Sequence, residues 1–306
     1  MKIFFHPLYT DGIHPEARFP RSRYRRIAET LAADDHPFPI RVDVAPCATV
    51  DDLQTAHDDR YVERFLSAQM TESEARRIGL RPWTELIIPR TMRIMGGAIS
   101  ALMAAHETGG YAANLAGGTH HAHYDFGSGY CVFNDLAICA RIAQQRLNYK
   151  RVAILDLDVH QGDGTATILT NDKCVLTISV HCQANFPFRK AQSDIDLALP
   201  VGADDTEYLA AVDEALAELR SYEPELLLYQ AGVDGLATDK LGKLAISSGG
   251  MAERNKRVFE LCDALDIPCA VFMGGGYSDP IEHTVDAFYD LFTGAARAHA
   301  ARLCRG

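Results

Sequence analysis

The sequence predicts an α/β fold in which a mostly parallel β-sheet is covered by helices on both faces. Short apolar runs alternate with longer helix-patterned segments along the 306 residues. The apolar runs are continuous, which is typical of strands buried on both faces. Polar residues and glycines collect at the ends of these runs, where open α/β sheets bind their ligands. We expect a single domain over residues 1–306, since α/β folds of this size form one unit around one sheet.

The periodicity of the apolar residues predicts the individual elements. The predicted strands cover residues 2–5, 111–114, 152–158, 174–180, 226–230 and 269–273. The predicted helices cover residues 23–32, 58–69, 90–107, 134–145, 206–221, 250–265 and 280–301. The last helix has the pair Asp279-Pro280 at its start, which is a common signal for a first turn.

The formal net charge of −11 argues against a nucleic-acid partner, because binding to phosphate backbones depends on clustered Lys and Arg. The same acidity would suit a cationic substrate surface. One basic cluster, residues 18–26, has the sequence RFPRSRYRR. Charge runs of this kind usually form a solvated helix start with partners in the same chain, and we favour that interpretation over an anion site.

The eight cysteines are scattered without a C-x-x-C pair, which is typical of free thiols in a reducing compartment. Five of them lie in or beside apolar runs, where a thiol packs as a small hydrophobic group: Cys131, Cys139, Cys174, Cys182 and Cys269. The apolar stretch at the N-terminus is too short for a signal peptide, and no apolar window is long enough to span a membrane. We therefore expect a cytoplasmic protein without a membrane partner.

Residues 154–164 have the sequence ILDLDVHQGDG and include the end of a predicted buried strand. Because strand side chains alternate, Asp156, Asp158 and His160 would project to one face while the apolar residues between them point into the core. Two buried carboxylates side by side repel each other and lose their hydration, and a divalent cation reverses that cost. The sequence therefore favours a metal site here over a solvated strand end.

A second strand end supplies one more carboxylate. Residues 226–235 have the sequence LLLYQAGVDG, in which Asp234 lies between glycines that permit a tight turn. A lone Asp after a strand is as often a helix cap as a ligand. Together with Asp158 and His160, however, it would complete a three-ligand arrangement that leaves a position open for water, as catalytic metal sites do.

Adjacent histidines follow a glycine-rich turn in residues 117–123, which have the sequence GGTHHAH. His120 and His121 are candidates for proton transfer near neutral pH, particularly if carboxylates orient their second ring nitrogens. Asp156 and Asp163 are available for that task. We expect the third histidine, His123, to be an ordinary polar residue with a satisfied side chain.

Three glycines separate a predicted strand from Tyr277 in residues 271–277, which have the sequence VFMGGGY. The glycines, Gly275 among them, would let the backbone approach a ligand closely. The Tyr277 hydroxyl would then donate a hydrogen bond to a developing oxyanion. The segment lacks the Lys-Ser/Thr of a P-loop and the G-x-G-x-x-G spacing, so nucleotide binding is not expected.

Taken in this order, the four segments resemble the histone deacetylase superfamily, whose members have an arginase-like α/β fold. The resemblance spans most of the chain and adds the Gly-Tyr-Cys-x-Phe-Asn run of residues 129–134. Three further segments resemble the bacterial branch related to class IV deacetylases: His6-Pro7, the Arg18-Phe19-Pro20 and Tyr24-Arg25 pattern, and residues 185–190.

The resemblance implies a role for each matched residue. The zinc ligands would be Asp158, His160 and Asp234. His121, paired with Asp163, would be the general base and acid. His120, paired with Asp156, would give electrostatic support. Tyr277 would polarise the acyl carbonyl opposite the metal. The substrate would contact Gly129, Tyr130, Leu241 and Gly275. A structural monovalent cation, K⁺, would be held by Asp156, Asp158, His160, Ser179 and Val180.

The sequence departs from the family pattern at three positions: Gln161 in place of a second His, Asp135 where Asn is common, and Leu241 at a position that is Met or Leu among relatives. These differences would alter the shape of the pocket and leave the reaction class unchanged.

Several alternatives stay open at this stage. Fe(II) would fit the site as well as zinc. The substrate would be an acetylated or longer-acylated lysine, or an acetylated polyamine or other small amide. A two-manganese ureohydrolase of the same fold and a non-catalytic acyl-ligand binding module are the rival functions. The sequence gives no indication of the oligomeric state.

Overall fold

The computed structural model describes residues 1–33 and 35–304, and the strands within these ranges form one sheet of eight. In chain order they are β1 (Lys2–Phe5), β2 (Arg41–Val44), β3 (Tyr111–Asn114), β4 (Val152–Asp156), β5 (Val175–Cys182), β6 (Ile195–Leu199), β7 (Leu226–Gln230) and β8 (Cys269–Phe272). Their order across the sheet is β2-β1-β3-β8-β7-β4-β5-β6. Every neighbouring pair is parallel, so the predicted fold class is confirmed.

The helices found in the described ranges are α1 (Leu8–Asp11), α2 (Ser22–Ala33), α3 (Val50–Gln54), α4 (Asp59–Leu66), α5 (Glu72–Ile78), α6 (Ile87–Thr108), α7 (Asp135–Leu147), α8 (Asp163–Leu169), α9 (Asp205–Tyr222), α10 (Ser248–Leu265) and α11 (Glu282–Leu303). Helices α6 and α7 pack on each other and on the central strands. Helix α10 packs between α9 and α11, which contact β5, β6 and β3. The seven predicted helices are confirmed as α2, α4, α6, α7, α9, α10 and α11. The last begins at Glu282, just after the predicted Asp279-Pro280 start.

The six predicted strands are present, but two of them end earlier than expected, β8 by one residue and β4 by two. Strand β4 ends at Asp156, whereas the sequence predicted a strand as far as residue 158. The Asp158 N–H donates to Asp156 Oδ1 at 3.1 Å, so a side chain replaces the next partner in the ladder. Side-chain alternation therefore does not extend from Asp156 to Asp158 and His160, and the turn itself brings them together.

The four central strands β3, β8, β7 and β4 are buried along their whole length. Their final residues are neighbours in the sheet, since Asn114 and Gln230 both pair with Phe272, and Gln230 also pairs with Asp156. The loops that follow these strands therefore start side by side at one edge. This edge positions the polar residues of the four sequence motifs.

The basic cluster of residues 18–26 has partners in the chain, as expected for two of its members. Arg25 pairs with Asp11 at 2.6 Å and Arg26 pairs with Glu282 at 2.8 Å. Arg23 also has partners in the chain but is not solvated as expected, since it is 2% exposed and enters the protein interior.

All eight cysteines are free thiols. Of the five expected to be packed as hydrophobic groups, Cys174 is exposed because it lies just before β5, and the other four are buried. Across residues 1–33 and 35–304, the helices are too short or too polar to cross a membrane.

Candidate active site

The three predicted metal ligands lie together in the loops that follow β4 and β7. His160 Nδ1 is 3.0 Å from Asp158 Oδ1 and 3.0 Å from Asp234 Oδ2. One ligand atom from each residue lies within 4.8 Å of the other two. Both carboxylates are buried. Two separate strand ends thus bring two oxygen atoms and one nitrogen atom close together. We call Asp158, His160 and Asp234 the ligand cluster.

Backbone and amide groups orient the two carboxylates of the ligand cluster. The Gly275 N–H donates to Asp158 Oδ2 at 2.7 Å, and Gln230 Nε2 donates to the same oxygen at 3.1 Å. The Val159 N–H donates to Asp234 Oδ1 at 2.9 Å. Partners of this kind fix the direction in which a carboxylate presents its free lone pairs.

The donor set fits a divalent cation. Burial and the adjacent charge of Asp158 raise the pKa of Asp234 to about 7, which reflects the cost of placing two carboxylates side by side. Burial lowers the pKa of His160, but the two carboxylates outweigh it and raise the value to about 10. A divalent ion relieves this repulsion, and zinc and Fe(II) both accept one imidazole with two carboxylates. Within the described part of the chain, no other group of three His, Cys, Asp or Glu side chains lies close enough to hold an ion.

The tandem histidines pair with the two carboxylates that the sequence proposed for them. His120 Nδ1 is 2.6 Å from Asp156 Oδ2, and His121 Nδ1 is 2.7 Å from Asp163 Oδ1. The two imidazole rings are 4.1 Å apart, and the His121 ring is 5.8 Å from that of His160. Each Nδ1 is therefore occupied by a carboxylate, which leaves Nε2 as the second ring nitrogen of both residues.

The environment separates the pKa values of the two histidines. Burial lowers the pKa of His120, but the charges of Asp156 and Asp158 outweigh it and raise the value to about 9. Burial and the neighbouring His120 lower the pKa of His121 to about 4, against the opposing effect of Asp163. His121 is therefore the one of the two histidines that has a ring nitrogen free to accept a proton at neutral pH.

Tyr277 lies on the loop after β8, where its side chain lines the same cavity as the ligand cluster. Its backbone N–H donates to Asp239 Oδ2 at 2.6 Å, and its ring packs edge-on against Phe19 with centroids 6.0 Å apart. Burial raises the pKa of the hydroxyl well above its usual value. The hydroxyl therefore keeps its proton and is available as a hydrogen-bond donor.

The buried guanidinium of Arg23 clamps the glycine loop that precedes Tyr277. Its Nη1 donates to the Gly276 carbonyl oxygen and its Nη2 to that of Gly274, each at 2.9 Å. The guanidinium also lies 5.5 Å from the centroid of the Tyr277 ring. A residue near the start of the chain thus fixes a loop near its end, and the sequence motifs gave no indication of this contact.

A cavity of about 520 Å³ adjoins the ligand cluster, and its lining includes the four residues that were predicted to contact the substrate: Gly129, Tyr130, Leu241 and Gly275. The backbone of Tyr130 has a φ of 69°, which is unusual for a bulky residue and is often found at functional sites. Its N–H donates to the Ile78 carbonyl oxygen at 2.7 Å, which holds this conformation.

Two glycines that line the cavity also lie against side chains of the site. A Cβ at Gly275 would be 1.8 Å from Asp234 Oδ2, and one at Gly129 would be 2.5 Å from His121 Cδ2. Gly275 also contributes its N–H to Asp158. These two positions require glycine because the carboxylates and the imidazole occupy the space that a side chain would need.

Two residues of the cavity received no role from the sequence, although both lie in the 185–190 segment that contributes to the resemblance. Asn185 Nδ2 lies 3.3 Å from His160 Nε2 and donates to the Leu241 carbonyl oxygen at 2.7 Å. The Phe186 ring packs edge-on against His121 with centroids 4.8 Å apart. Both follow the end of β5 by a few residues, so the rule that placed the other loops at the strand ends would have found them.

Two of the departures from the family pattern hold loops in place. Asp135 accepts hydrogen bonds from the N–H groups of Gly118 and Thr119 at 2.9 and 2.8 Å, and thereby fixes the turn before the histidine pair. Gln161 Nε2 donates to Asp196 Oδ1 at 2.7 Å and to the Ala191 carbonyl oxygen at 3.0 Å.

His123 has a closer connection to the site than the sequence suggested. Its Nε2 is 3.2 Å from Asp163 Oδ2, and its Nδ1 is 2.8 Å from the Thr167 hydroxyl. Although burial raises the pKa of Asp163, its hydrogen bonds with His121 and His123 hold the value well below the usual range. One carboxylate therefore serves two histidines.

Three of the five residues predicted for a monovalent cation lie on adjacent strands, and the other two, Asp158 and His160, lie in the turn after β4. Asp156 of β4 pairs with Ser179 of β5, and Val180 follows in the same strand. The Ser179 hydroxyl is 3.0 Å from His181 Nδ1. The potassium site stays a prediction.

Comparison with known proteins identifies a family. Residues 16–290 match the histone deacetylase domain. An uncharacterised protein of Picosynechococcus is 42% identical over 296 residues, which cover 96% of this chain and 98% of that protein. Histone deacetylase 2 of Arabidopsis thaliana is 32% identical over 278 residues, which cover 87% of this chain and 70% of the plant protein.

A solved structure shows the same fold. The crystal structure of an acetylpolyamine aminohydrolase from Burkholderia pseudomallei superposes with a TM-score of 0.78 at 24% identity, over 96% of this chain and 98% of that one. The domain match and the relatives extend over nearly the whole sequence, and they include all four motifs that meet at the cavity. The chain therefore belongs to the histone deacetylase family.

Proposed function

We propose that the chain is a metal-dependent amidohydrolase that removes acetyl or longer acyl groups from lysine side chains. The observation that supports this most strongly is the convergence of the ligand cluster, the two histidine–carboxylate pairs and Tyr277 on one cavity. One catalytic unit would contain all of these groups.

The residues that would hold the ion are Asp158, His160 and Asp234. A divalent ion bound there, zinc or Fe(II), supplies a Lewis acid that polarises the amide carbonyl and makes water more acidic. His121 would accept the proton of the attacking water, because its low pKa leaves a ring nitrogen free. Asp163 would stabilise the imidazolium, which then returns the proton to the departing amine nitrogen.

Tyr277 and His120 would stabilise the negative charge that develops during the reaction and would not transfer a proton. The Tyr277 hydroxyl, which stays protonated, would donate a hydrogen bond to the acyl carbonyl oxygen as negative charge develops on it. His120, held by Asp156 with a pKa of about 9, would present a fixed positive charge beside the reacting groups. Tyr130 would line the channel for the acylated side chain.

Two substitutions test these roles on an acetyl-lysine peptide. Tyr277→Phe removes the oxyanion donor and should lower kcat by about 100-fold or more. His121→Ala removes the base and should lower kcat by at least about 100-fold. Both variants should retain one metal ion per chain, because neither residue belongs to the ligand cluster.

Matched controls come from the opposite end of the sheet. His106 and Tyr149 contact each other at 2.8 Å, next to the start of β3 and β4. His106→Ala and Tyr149→Phe make the same chemical changes there and should leave kcat unchanged. Wild-type activity in Tyr277→Phe or His121→Ala, measured by peptide deacetylation, would disprove the assigned role.

The length of the acyl chain that the protein prefers can be measured directly. Peptides with acyl chains of increasing length, tested beside acetylated polyamines, would identify the preferred substrate from kcat/KM. The volume of the cavity, about 520 Å³, would limit the length of the acyl chain that it can hold.

Metal stoichiometry separates the proposal from the two-manganese alternative. We expect one tightly bound ion per chain by elemental analysis. Two tightly bound ions would favour a ureohydrolase, and binding of acylated amines without turnover would favour a non-catalytic module.

A further inference from the structure

The lining of the cavity is cationic although the chain has a formal net charge of −11. Apart from histidines, the charged side chains in the described lining are Arg23, Arg77, Arg90, Lys243 and Asp158. Asp158 belongs to the ligand cluster, where a divalent ion would balance its charge. An entering substrate responds to the local potential of a cleft more than to the net charge of the chain. The net charge of the chain therefore does not describe the charge of the cavity lining.

Two of these cations lie at the mouth of the cavity, since both side chains are exposed. The Arg77 guanidinium is 4.8 Å from the centroid of the Phe126 ring, and Lys243 Nζ donates to the Ala184 carbonyl oxygen at 2.9 Å. Both partners are uncharged. The positive charge of each cation is thus held in place without being neutralised by these contacts.

Three carboxylates on neighbouring elements are engaged elsewhere. Glu72 pairs with Arg76 at 2.7 Å, and Glu74 pairs with Arg64 at 2.5 Å. Asp239 accepts hydrogen bonds from three backbone N–H groups, including that of Tyr277 at 2.6 Å. These carboxylates do not line the cavity, so they offer no direct partner to an ammonium group that enters it.

The mouth also has an apolar component. Phe188 is 89% exposed and Leu241 is 42% exposed, and both line the cavity. Exposed apolar groups next to a cleft often mark a contact surface for a partner. Together with Arg77 and Lys243, they form a surface that suits a peptide with aliphatic and acidic side chains.

We propose that the mouth of the cavity selects acylated lysines whose neighbours are neutral or acidic, and disfavours polycationic amines such as acetylated polyamines. The inference rests on the proposed function and specifies its substrate class. When the acylated end of a polyamine reaches the ligand cluster, its free ammonium groups lie in the field of the mouth cations and are repelled. An Asp or Glu beside an acylated lysine is attracted by the same charges.

A binding experiment tests the preference without requiring turnover. Two fluorescent acetyl-lysine peptides, one with Asp and one with Lys on both sides, are titrated with zinc-loaded His121→Ala protein by anisotropy. N8-acetylspermidine serves as a competitor. We expect the Asp-flanked peptide to bind about tenfold more tightly at low salt, with a smaller ratio at high salt, and acetylspermidine to compete poorly.

Charge reversal at the mouth should invert the preference. Arg77→Glu/Lys243→Glu should bind the Lys-flanked peptide at least as tightly as the Asp-flanked one. The matched control, Lys173→Glu/Arg220→Glu, makes the same change in net charge at exposed positions outside the cavity and should keep the original ratio.

Equal or tighter binding of the Lys-flanked peptide or acetylspermidine to the parent protein would overturn the inference, as would an equal effect of the control variant. If zinc-loaded wild type hydrolysed neither peptide, the proposed function would fail, while the binding ratio would still decide the charge preference.

Discussion

At the scale of single residues, the site depends on close contacts that only glycine allows. Gly274 has a φ of 74°, and a Cβ there would be 2.0 Å from Gln230 Oε1. The Gly275 N–H binds Asp158 Oδ2, and its Cα faces Asp234. The glycine loop is therefore part of the scaffold that aims the two carboxylates.

Substitution of Gly275 should weaken metal binding. In Gly275→Ala the new methyl group would displace the Asp234 carboxylate, and we expect zinc affinity to fall by about 10-fold to 100-fold. Competition with a chromophoric chelator measures the effect. Gly249→Ala is the control, because its Cβ would be at an ordinary 3.4 Å from Ser247 Oγ. Equal zinc affinity in both variants would contradict this account.

At the scale of elements, the buried strands and the long helices could be predicted from the sequence, and the edges could not. Strands β2 and β6 lie at the two edges of the sheet. Strand β2 is largely exposed and exposed residues interrupt β6, so neither has the continuous buried run that identified the others. Helices α1, α3, α5 and α8 have four to seven residues, too few for a clear period.

The residues of the site also divide into those that could be predicted from the sequence and those that could not. Its ligands and histidines follow buried strands, and the rule that parallel strands end at one edge was enough to bring them together. Arg23 reaches the site from α2, where its Nη1 and Nη2 donate to carbonyl oxygens of the glycine loop. Those contacts depend on packing between elements that are distant in sequence, which periodicity does not report.

One connection between elements should be sensitive to pH. His57, before α4, donates from Nδ1 to the His123 carbonyl oxygen at 3.0 Å and accepts at Nε2 from the N–H of Asn134, the N-cap of α7, at 2.8 Å. Burial lowers the pKa of His57 from 6.5 to about 4. Protonation would place a hydrogen on Nε2 where it faces another donor.

The free energy of unfolding should therefore fall as the pH drops from 6.5 to 4, since the unfolded chain binds this proton first. The slope from this residue is about 1.4 kcal/mol per pH unit, or roughly 3 kcal/mol in total. Urea unfolding at several pH values would show a flatter dependence in His57→Gln than in wild type. His106→Gln, which changes an exposed histidine, should keep the wild-type slope. Identical slopes in His57→Gln and wild type would refute the prediction.

At the scale of the whole molecule, the ligand cluster joins the central strands through the loops after β4, β7 and β8. Two buried carboxylates at one point oppose folding unless a cation is bound. The stability of the protein should therefore depend on metal concentration.

Chelation should lower the thermal midpoint. Free zinc at 100 times its dissociation constant stabilises the folded state by about 2.7 kcal/mol, which corresponds to a shift of about 5 °C for a chain of this size. Calorimetry with EDTA and after zinc addition measures the shift. Asp234→Asn should respond much less, whereas Asp213→Asn, an exposed carboxylate on α9, should respond as wild type does. A midpoint independent of zinc in the wild type would contradict a site in the ligand cluster.

The clamp formed by Arg23 has a consequence for protein synthesis. Arg23 leaves the ribosome early, but the carbonyl groups that it binds, at Gly274 and Gly276, emerge only when most of the chain has been translated. Contacts over such a sequence distance form late in folding. A nascent chain would therefore lack an ordered glycine loop, and the proposed hydrolytic activity would arise only after translation has passed Tyr277.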